Sequence, residues 1–126
     1  MRALVVDDDP SIQQILEFAL SDEGYEVVTA SNGPEALEKA RTALPDVVIL
    51  DVMMPFVDGI QVAEALQNDK QLARTPIIML TARTTDDDVW AGWRAGAASY
   101  LTKPVDFELL LAEMQRVIAD RKLQTV

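Results

Sequence analysis

Five short runs of β-branched, aromatic or aliphatic residues punctuate this chain: Ala3–Val6, Val27–Ala30, Val47–Leu50, Ile77–Leu80 and Ser99–Thr102. Several lack polar alternation, as expected of strands covered on both faces. Helical periodicity fills the intervals. The first helical stretch is expected to bury Ile12, Ile15, Leu16 and Ala19, and the last Leu109, Leu110, Met114, Val117 and Ile118. The runs end near positions 6, 30, 50, 80 and 102, at intervals of 24, 20, 30 and 22 residues, the length of one strand–helix unit. Each helix start is marked. Asp9-Pro10 offers a cap followed by proline in the first turn, Asn32-Gly33-Pro34-Glu35 repeats the device, and Gly24 fits a helix stop.

Alternating β and α segments imply a parallel sheet with helices on both sides, and right-handed crossovers leave few arrangements. The expected fold is α/β: a five-stranded doubly wound sheet in the order 2-1-3-4-5 with five helices, flavodoxin-like in topology. At 126 residues the chain suits one domain. We take residues 1–122 as that domain and 123–126 as a tail or the start of a linker.

Composition narrows the chemistry. Cysteine and histidine are absent, which excludes disulfides, thiolate nucleophiles, Cys or His metal sites and Ser-His-Asp triads. Eleven basic against 21 acidic residues give a formal charge of −10, the wrong sign for nucleic acid or an anionic membrane and the right one for cations. No apolar run exceeds four residues, and acid at Asp7 interrupts any signal-like start. A cytoplasmic location without membrane or direct nucleic-acid contact is expected.

In doubly wound sheets the ligand site lies outside the carboxyl ends of the strands, where the order reverses. That edge gathers Asp7, Asp8 and Asp9 after the first strand and Asp51 after the third. Crowded carboxylates either raise their pKa values or recruit a cation, and hard oxygen donors suit Mg²⁺ or Mn²⁺. Asp9, beside Pro10, is better read as a helix cap. The fourth and fifth strands end at Thr81 and Lys103-Pro104, a hydroxyl and an ammonium able to hold anionic oxygens. A carboxylate nucleophile, a metal, a hydroxyl and a lysine are the parts needed to form an aspartyl phosphate.

Four ordered motifs now carry a resemblance: Val5-Val6-Asp7-Asp8-Asp9-Pro10; Pro45 to Pro55, containing Leu50-Asp51-Val52-Met53, with Asp58-Gly59; Met79-Leu80-Thr81-Ala82; and Gly96 to Pro104. Over residues 2 to 120 the chain resembles a receiver domain of bacterial two-component response regulators. The resemblance implies that Asp51 accepts a phosphoryl group from a phosphohistidine on a histidine kinase or phosphotransfer protein. It implies Mg²⁺ held by Asp8, Asp51 and the Met53 carbonyl, with Asp7 assisting, and Thr81 and Lys103 on the phosphoryl oxygens. It further implies a cis Lys103–Pro104 bond, Thr81 and Tyr100 as the switch pair, and Met53 and Arg83 as positions tuning dephosphorylation. Such a chain is a signalling phosphoacceptor rather than an enzyme. Its output face, formed by the fourth helix, fifth strand and fifth helix, serves a homodimer or an output domain. Val105 and Ala98-Ser99 stand where many members carry Phe and an acidic pair.

Two alternatives share this topology. An aspartate-nucleophile phosphatase of haloacid-dehalogenase type matches the spacing of Asp7 and Asp9, but Pro10-Ser11 continues that signature poorly. A flavodoxin-like cofactor module needs a phosphate-cradling loop after the first strand, where this chain has three acids. Trp90, Trp93 and Ala97 read as a packing stripe, Asp86-Asp87-Asp88 as a solvated helix start, and Met53-Met54 as packing rather than soft-metal ligands.

Overall fold

The structure is a computed structural model describing residues 1–52, 59–81 and 96–124, the last three by backbone alone. Its elements run β1 (Arg2–Val6), α1 (Pro10–Asp22), β2 (Glu26–Ala30), α2 (Gly33–Ala43), β3 (Val47–Asp51), α3 (Gly59–Asn68), β4 (Ile77–Thr81), β5 (Ser99–Thr102) and α4 (Phe107–Gln124). All strands are parallel, in the order β2-β1-β3-β4-β5. The expected helix between β4 and β5, with Trp90, Trp93 and Asp86 to Asp88, falls outside the described residues, so four helices are described and the fifth expected one is α4. Its backbone continues through Gln124.

β3 and β4 are buried along their whole length, whereas the edge strands β2 and β5 are only partly covered. That is why the central strands read as unbroken apolar runs. Side chains alternate between two cores. Leu4, Val6, Val48, Leu50, Ile77 and Met79 pack under α2 and α3 with Ala36, Ala40, Val62 and Leu66. Ala3, Val5, Val47, Ile49, Ile78 and Leu80 face α1 and α4 through Leu16, Leu20, Leu110, Met114 and Val117.

Two expected core residues face solvent. Ile15 is 63 % exposed and Leu109 49 %, whereas Leu20, outside the expected face, is fully buried. On α1 the buried line runs through Leu16 and Leu20, so the true face is turned away from the 15–18 side; Phe18, one turn from Ile15, is 80 % exposed. β1 and β2 each begin one residue earlier than their apolar runs. Arg2 pairs with Glu26 in the ladder and by a 3.1 Å ion pair, adding a polar rung that hydrophobicity cannot signal.

Local chemistry ends the helices as expected. The Asp9 carboxylate accepts from the Ser11 N–H at 2.9 Å, and Asn32 accepts from the Glu35 N–H at 2.9 Å. After α1, Gly24 takes φ +92° while its N–H donates to the Ser21 carbonyl and that of Tyr25 to Leu20, a Schellman closure. α2 ends instead on Leu44 at φ +47°, a left-handed turn on a branched side chain that no sequence signal marks.

α4 is tied to edge strand β5 by polar contacts. Ser99 Oγ donates to Glu113 Oε2 at 2.8 Å, and Arg116 bridges Glu113 at 2.7 Å, Asp120 at 3.2 Å and the Ala98 carbonyl at 3.3 Å. The hydrogen bonds from Arg116 and then Ser99 hold the Glu113 carboxyl below the usual glutamate range. A carboxyl whose pKa falls on folding stabilises the fold above its unfolded value of 4.5, and that contribution fades as pH drops through the lowered value. Glu113→Gln should therefore reduce the urea midpoint near neutral pH, with the deficit to wild type shrinking as the buffer is acidified below the ordinary glutamate pKa; a pH-independent deficit contradicts this account. Leu44→Gly should raise stability by about 1 kcal/mol, relief of left-handed strain partly offset by glycine's greater unfolded entropy, read from the same midpoints.

Candidate functional site at the carboxyl edge

β1 and β3 are neighbours in the sheet, so the residues that follow them meet at one edge. Asp7 and Asp51 extend the alternation of Val5 and Ile49 and are 2 % and 4 % exposed. Asp8, one residue along, points to solvent. Carboxylate oxygens of Asp7, Asp8 and Asp51 come within 4.8 Å of one another. Lys103, carried in just after β5, reaches across β4 and places its ammonium 3.2 Å from both Asp7 Oδ2 and Asp51 Oδ2. Burial alone would push that ammonium down, but Asp51 and Asp7 outweigh it and hold its pKa above the ordinary lysine value.

Among the described residues, three carboxylates share one ammonium, which leaves an excess of negative charge in a largely dehydrated place. Hard oxygen donors with an open, solvated side fit a divalent cation of the Mg²⁺ type. Asp7 is held on both oxygens, Oδ1 by the Asp9 N–H at 2.9 Å and Oδ2 by Lys103 at 3.2 Å. Asp9 itself caps α1 and takes no place in the cluster.

Two further residues support the site, Gln13 outside the sequence motifs and Gly59 within one of them. Gln13, on the sheet side of α1, donates from Nε2 to the Asp7 carbonyl, to the Ala30 carbonyl at 3.2 Å and to Ser31 Oγ at 3.0 Å, stitching the acidic loop to the end of β2. Its one sequence signal is a polar residue inside an otherwise apolar helix face. Gly59 opens α3 directly against the end of β3, donating its N–H to the Val52 carbonyl at 2.9 Å. A Cβ there would lie 2.5 Å from the Asp51 carbonyl oxygen and 2.6 Å from Val52 Cα, so only glycine lets the chain return this closely.

Thr81, fully buried at the end of β4, shares the sheet face of Met79. Met79 is paired with Tyr100 and Thr81 with Thr102, so Thr81 and Tyr100 are diagonal neighbours on one face of adjacent strands. Tyr100 is half-buried against the core beneath α2 and α3. The Lys103–Pro104 bond is cis. Met53 and Arg83 lie outside the described residues.

Residues 3–115 match the family described as response regulator receiver domain. The chain belongs to that family. Its members are the phosphoacceptor domains of two-component signalling, and nothing supports the dehalogenase-type phosphatase. Among relatives, this receiver is 48 % identical over 103 residues to the alkaline phosphatase synthesis transcriptional regulatory protein PhoP of Bacillus subtilis, covering 82 % of this chain and 42 % of that one. It is 39 % identical to protein PilH of Pseudomonas aeruginosa, covering 94 % and 98 %. Among solved structures, chemotaxis protein CheY4 of Vibrio cholerae superposes with a TM-score of 0.88 at 44 % identity, covering 92 % and 97 %. The receiver spans half or less of the length of PhoP and of the regulatory protein AfsQ1 of Streptomyces coelicolor. Among the described residues, no helix is long and apolar enough to cross a membrane.

Removing Lys103 leaves Asp7 and Asp51 buried without their shared cation, a loss on the order of 3 kcal/mol. Lys103→Met should accordingly melt well below wild type in EDTA and recover more than wild type does on adding Mg²⁺, measured by thermal unfolding. Equal Mg²⁺ responses in the two proteins would contradict the shared-charge reading.

Proposed function

We propose that residues 1–122 act as a Mg²⁺-dependent receiver in which Asp51 takes a phosphoryl group from a phosphohistidine on a histidine kinase or phosphotransfer protein. The observation that carries this reading is the buried Asp51 carboxylate held 3.2 Å from Lys103 with Asp7 and Asp8 beside it. In the transfer, an Asp51 oxygen bonds to phosphorus as the phosphorus–nitrogen bond to the donor imidazole breaks. Asp8, Asp51 and the Met53 carbonyl, with Asp7 assisting, would hold Mg²⁺ or Mn²⁺, which would supply neutralisation of the negative charge on the phosphoryl oxygens. Lys103 contributes a second, permanently placed positive charge on the other side of Asp51, and Thr81 a hydroxyl donor. Met53 and Arg83, two residues beyond Asp51 and Thr81, tune hydrolysis of the acyl phosphate. The domain is a signalling phosphoacceptor that handles only its own phosphoryl group, and it works in the cytoplasm.

The donor must bring its imidazole to the carboxyl edge. α1 starts from the acidic loop and presents Ile15 and Phe18 to solvent, and we assign this apolar strip to the donor. Output runs the other way. Once phosphorylated, Asp51 offers oxygens that favour Thr81 drawn toward the pocket, and Tyr100, diagonal to it on the same face, repacks against the space released. The affected surface comprises the stretch between β4 and β5, β5 itself and α4, where a homodimer partner or output domain binds; direct DNA contact belongs elsewhere, given the charge of −10.

With acetyl phosphate and Mg²⁺, intact-mass measurement should find one added phosphoryl group on wild type and none on Asp51→Asn; equal labelling overturns the assignment of Asp51. With beryllofluoride and Mg²⁺, NMR shift changes should extend from the pocket to Tyr100 and α4 in wild type and stay local in Thr81→Ala. Equal spread in both proteins rules out coupling through Thr81.

A further inference from the structure

At the opposite edge of the sheet, where β4 and β5 begin, lies a cavity of about 370 Å³. Its walls come from the lead-in to β4 (Ala73 to Pro76), the lead-in to β5 (Gly96 and Ala98), Gln67 of α3, and Arg116, Val117, Asp120 and Arg121 of α4. The volume is in the range of small-molecule sites. Its charge is unlike that of the rest of the protein. In a chain with 11 basic residues and a net charge of −10, three arginines and a single acid line this one cavity.

These groups differ in availability. Arg116 is committed to Glu113, Asp120 and the Ala98 carbonyl, and serves as a wall. Arg121 is held loosely, 3.7 Å from Asp46. Arg74 is exposed and, among the described residues, has no ion-pair or hydrogen-bond partner for its side chain. Thr75 is 95 % buried, yet its hydroxyl also has no hydrogen-bond partner among the described residues. That oxygen is not fully enclosed, and Thr75 is one of the residues lining the cavity. A hydroxyl placed so, with no protein partner, is free to hydrogen-bond a ligand in the cavity.

We propose that this cavity binds a small phosphate monoester, with Arg74, Arg121 and Thr75 on the phosphate and Ala73, Pro76, Ala98 and Val117 against the organic part. Two guanidinium forks from separate segments, the lead-in to β4 and α4, with the Thr75 hydroxyl next to Arg74 in the chain, offer more donors than the two coplanar oxygens of a carboxylate can accept and suit the tetrahedral oxygens of a phosphate. The apolar walls, and a volume well beyond the needs of a bare oxyanion, call for an ester rather than inorganic phosphate. The site is independent of Asp51 and needs no metal.

The test is an NMR titration of the whole protein in EDTA with AMP as the probe, alongside adenosine and inorganic phosphate. Saturable shifts at Thr75, Gly96 and the Arg121 side chain are expected with AMP, weaker ones with inorganic phosphate and none with adenosine. Arg74→Gln, an exposed position whose loss leaves the core intact, should weaken AMP about tenfold, as expected for losing a charge-assisted hydrogen bond, and Thr75→Val should weaken it as well. No saturable shift at millimolar AMP, shifts confined to Asp7, Asp51 and Lys103, or an unchanged affinity in Arg74→Gln would each overturn the proposal. Equal affinity for inorganic phosphate and AMP would overturn the ester assignment.

Discussion

A single ammonium stands between two buried carboxylates, and the arrangement of the carboxyl edge depends on it. Lys103 reaches Asp7 and Asp51 at 3.2 Å each, from a position separated by more than half the chain from the first and by the width of β4 from the second. Without it, two dehydrated negative charges would face each other across adjacent strands. With it the pair is tolerable but not neutral, because Asp8 adds a third carboxylate. That residual imbalance is the kind of charge excess a divalent cation would neutralise.

The surrounding backbone serves this arrangement. Gln13 fastens the acidic loop to β2, the Asp9 N–H orients Asp7, and Gly59 allows α3 to start in contact with the end of β3. Each support comes from a different element, so the site is stiff because the whole carboxyl edge is, not because any one loop is. Thr81 and Tyr100 sit on the other face of the same sheet, diagonal to one another on β4 and β5. Under the proposed switching, a rearrangement at the pocket would be passed on beneath α2 and α3, across a sheet too tightly packed to deform gradually.

The edge strand β5 links both regions. On one side it carries Tyr100, on the other Ser99, whose hydroxyl is tied to Glu113 of α4. Here Ala98 leads into β5, Ser99 opens it, and the acid of this contact, Glu113, stands on the helix. Glu113 and Arg116 satisfy each other within the subunit, so this part of the face offers little unpaired charge, and the exposed Leu109 gives it apolar character.

Much of this protein is legible in its amino-acid sequence. Uninterrupted apolar runs mark strands buried on both faces, and Asp9-Pro10 and Asn32-Gly33-Pro34 mark helix starts because capping is a local hydrogen bond between near neighbours. The acids at the ends of β1 and β3 are legible once the strand order is inferred, since topology brings those ends together. Tertiary structure decided what depends on rotation and distance. Ile15 and Leu109 match helical periodicity but face solvent, because a one-residue turn of a helix face is set by the sheet it meets and not by its own spacing. Gln13, Gly59 and Leu44 act through contacts or backbone angles that carry no periodic signal. The arginine-lined cavity is the extreme case: its residues come from four separate segments and converge only because parallel strands align their starts as well as their ends.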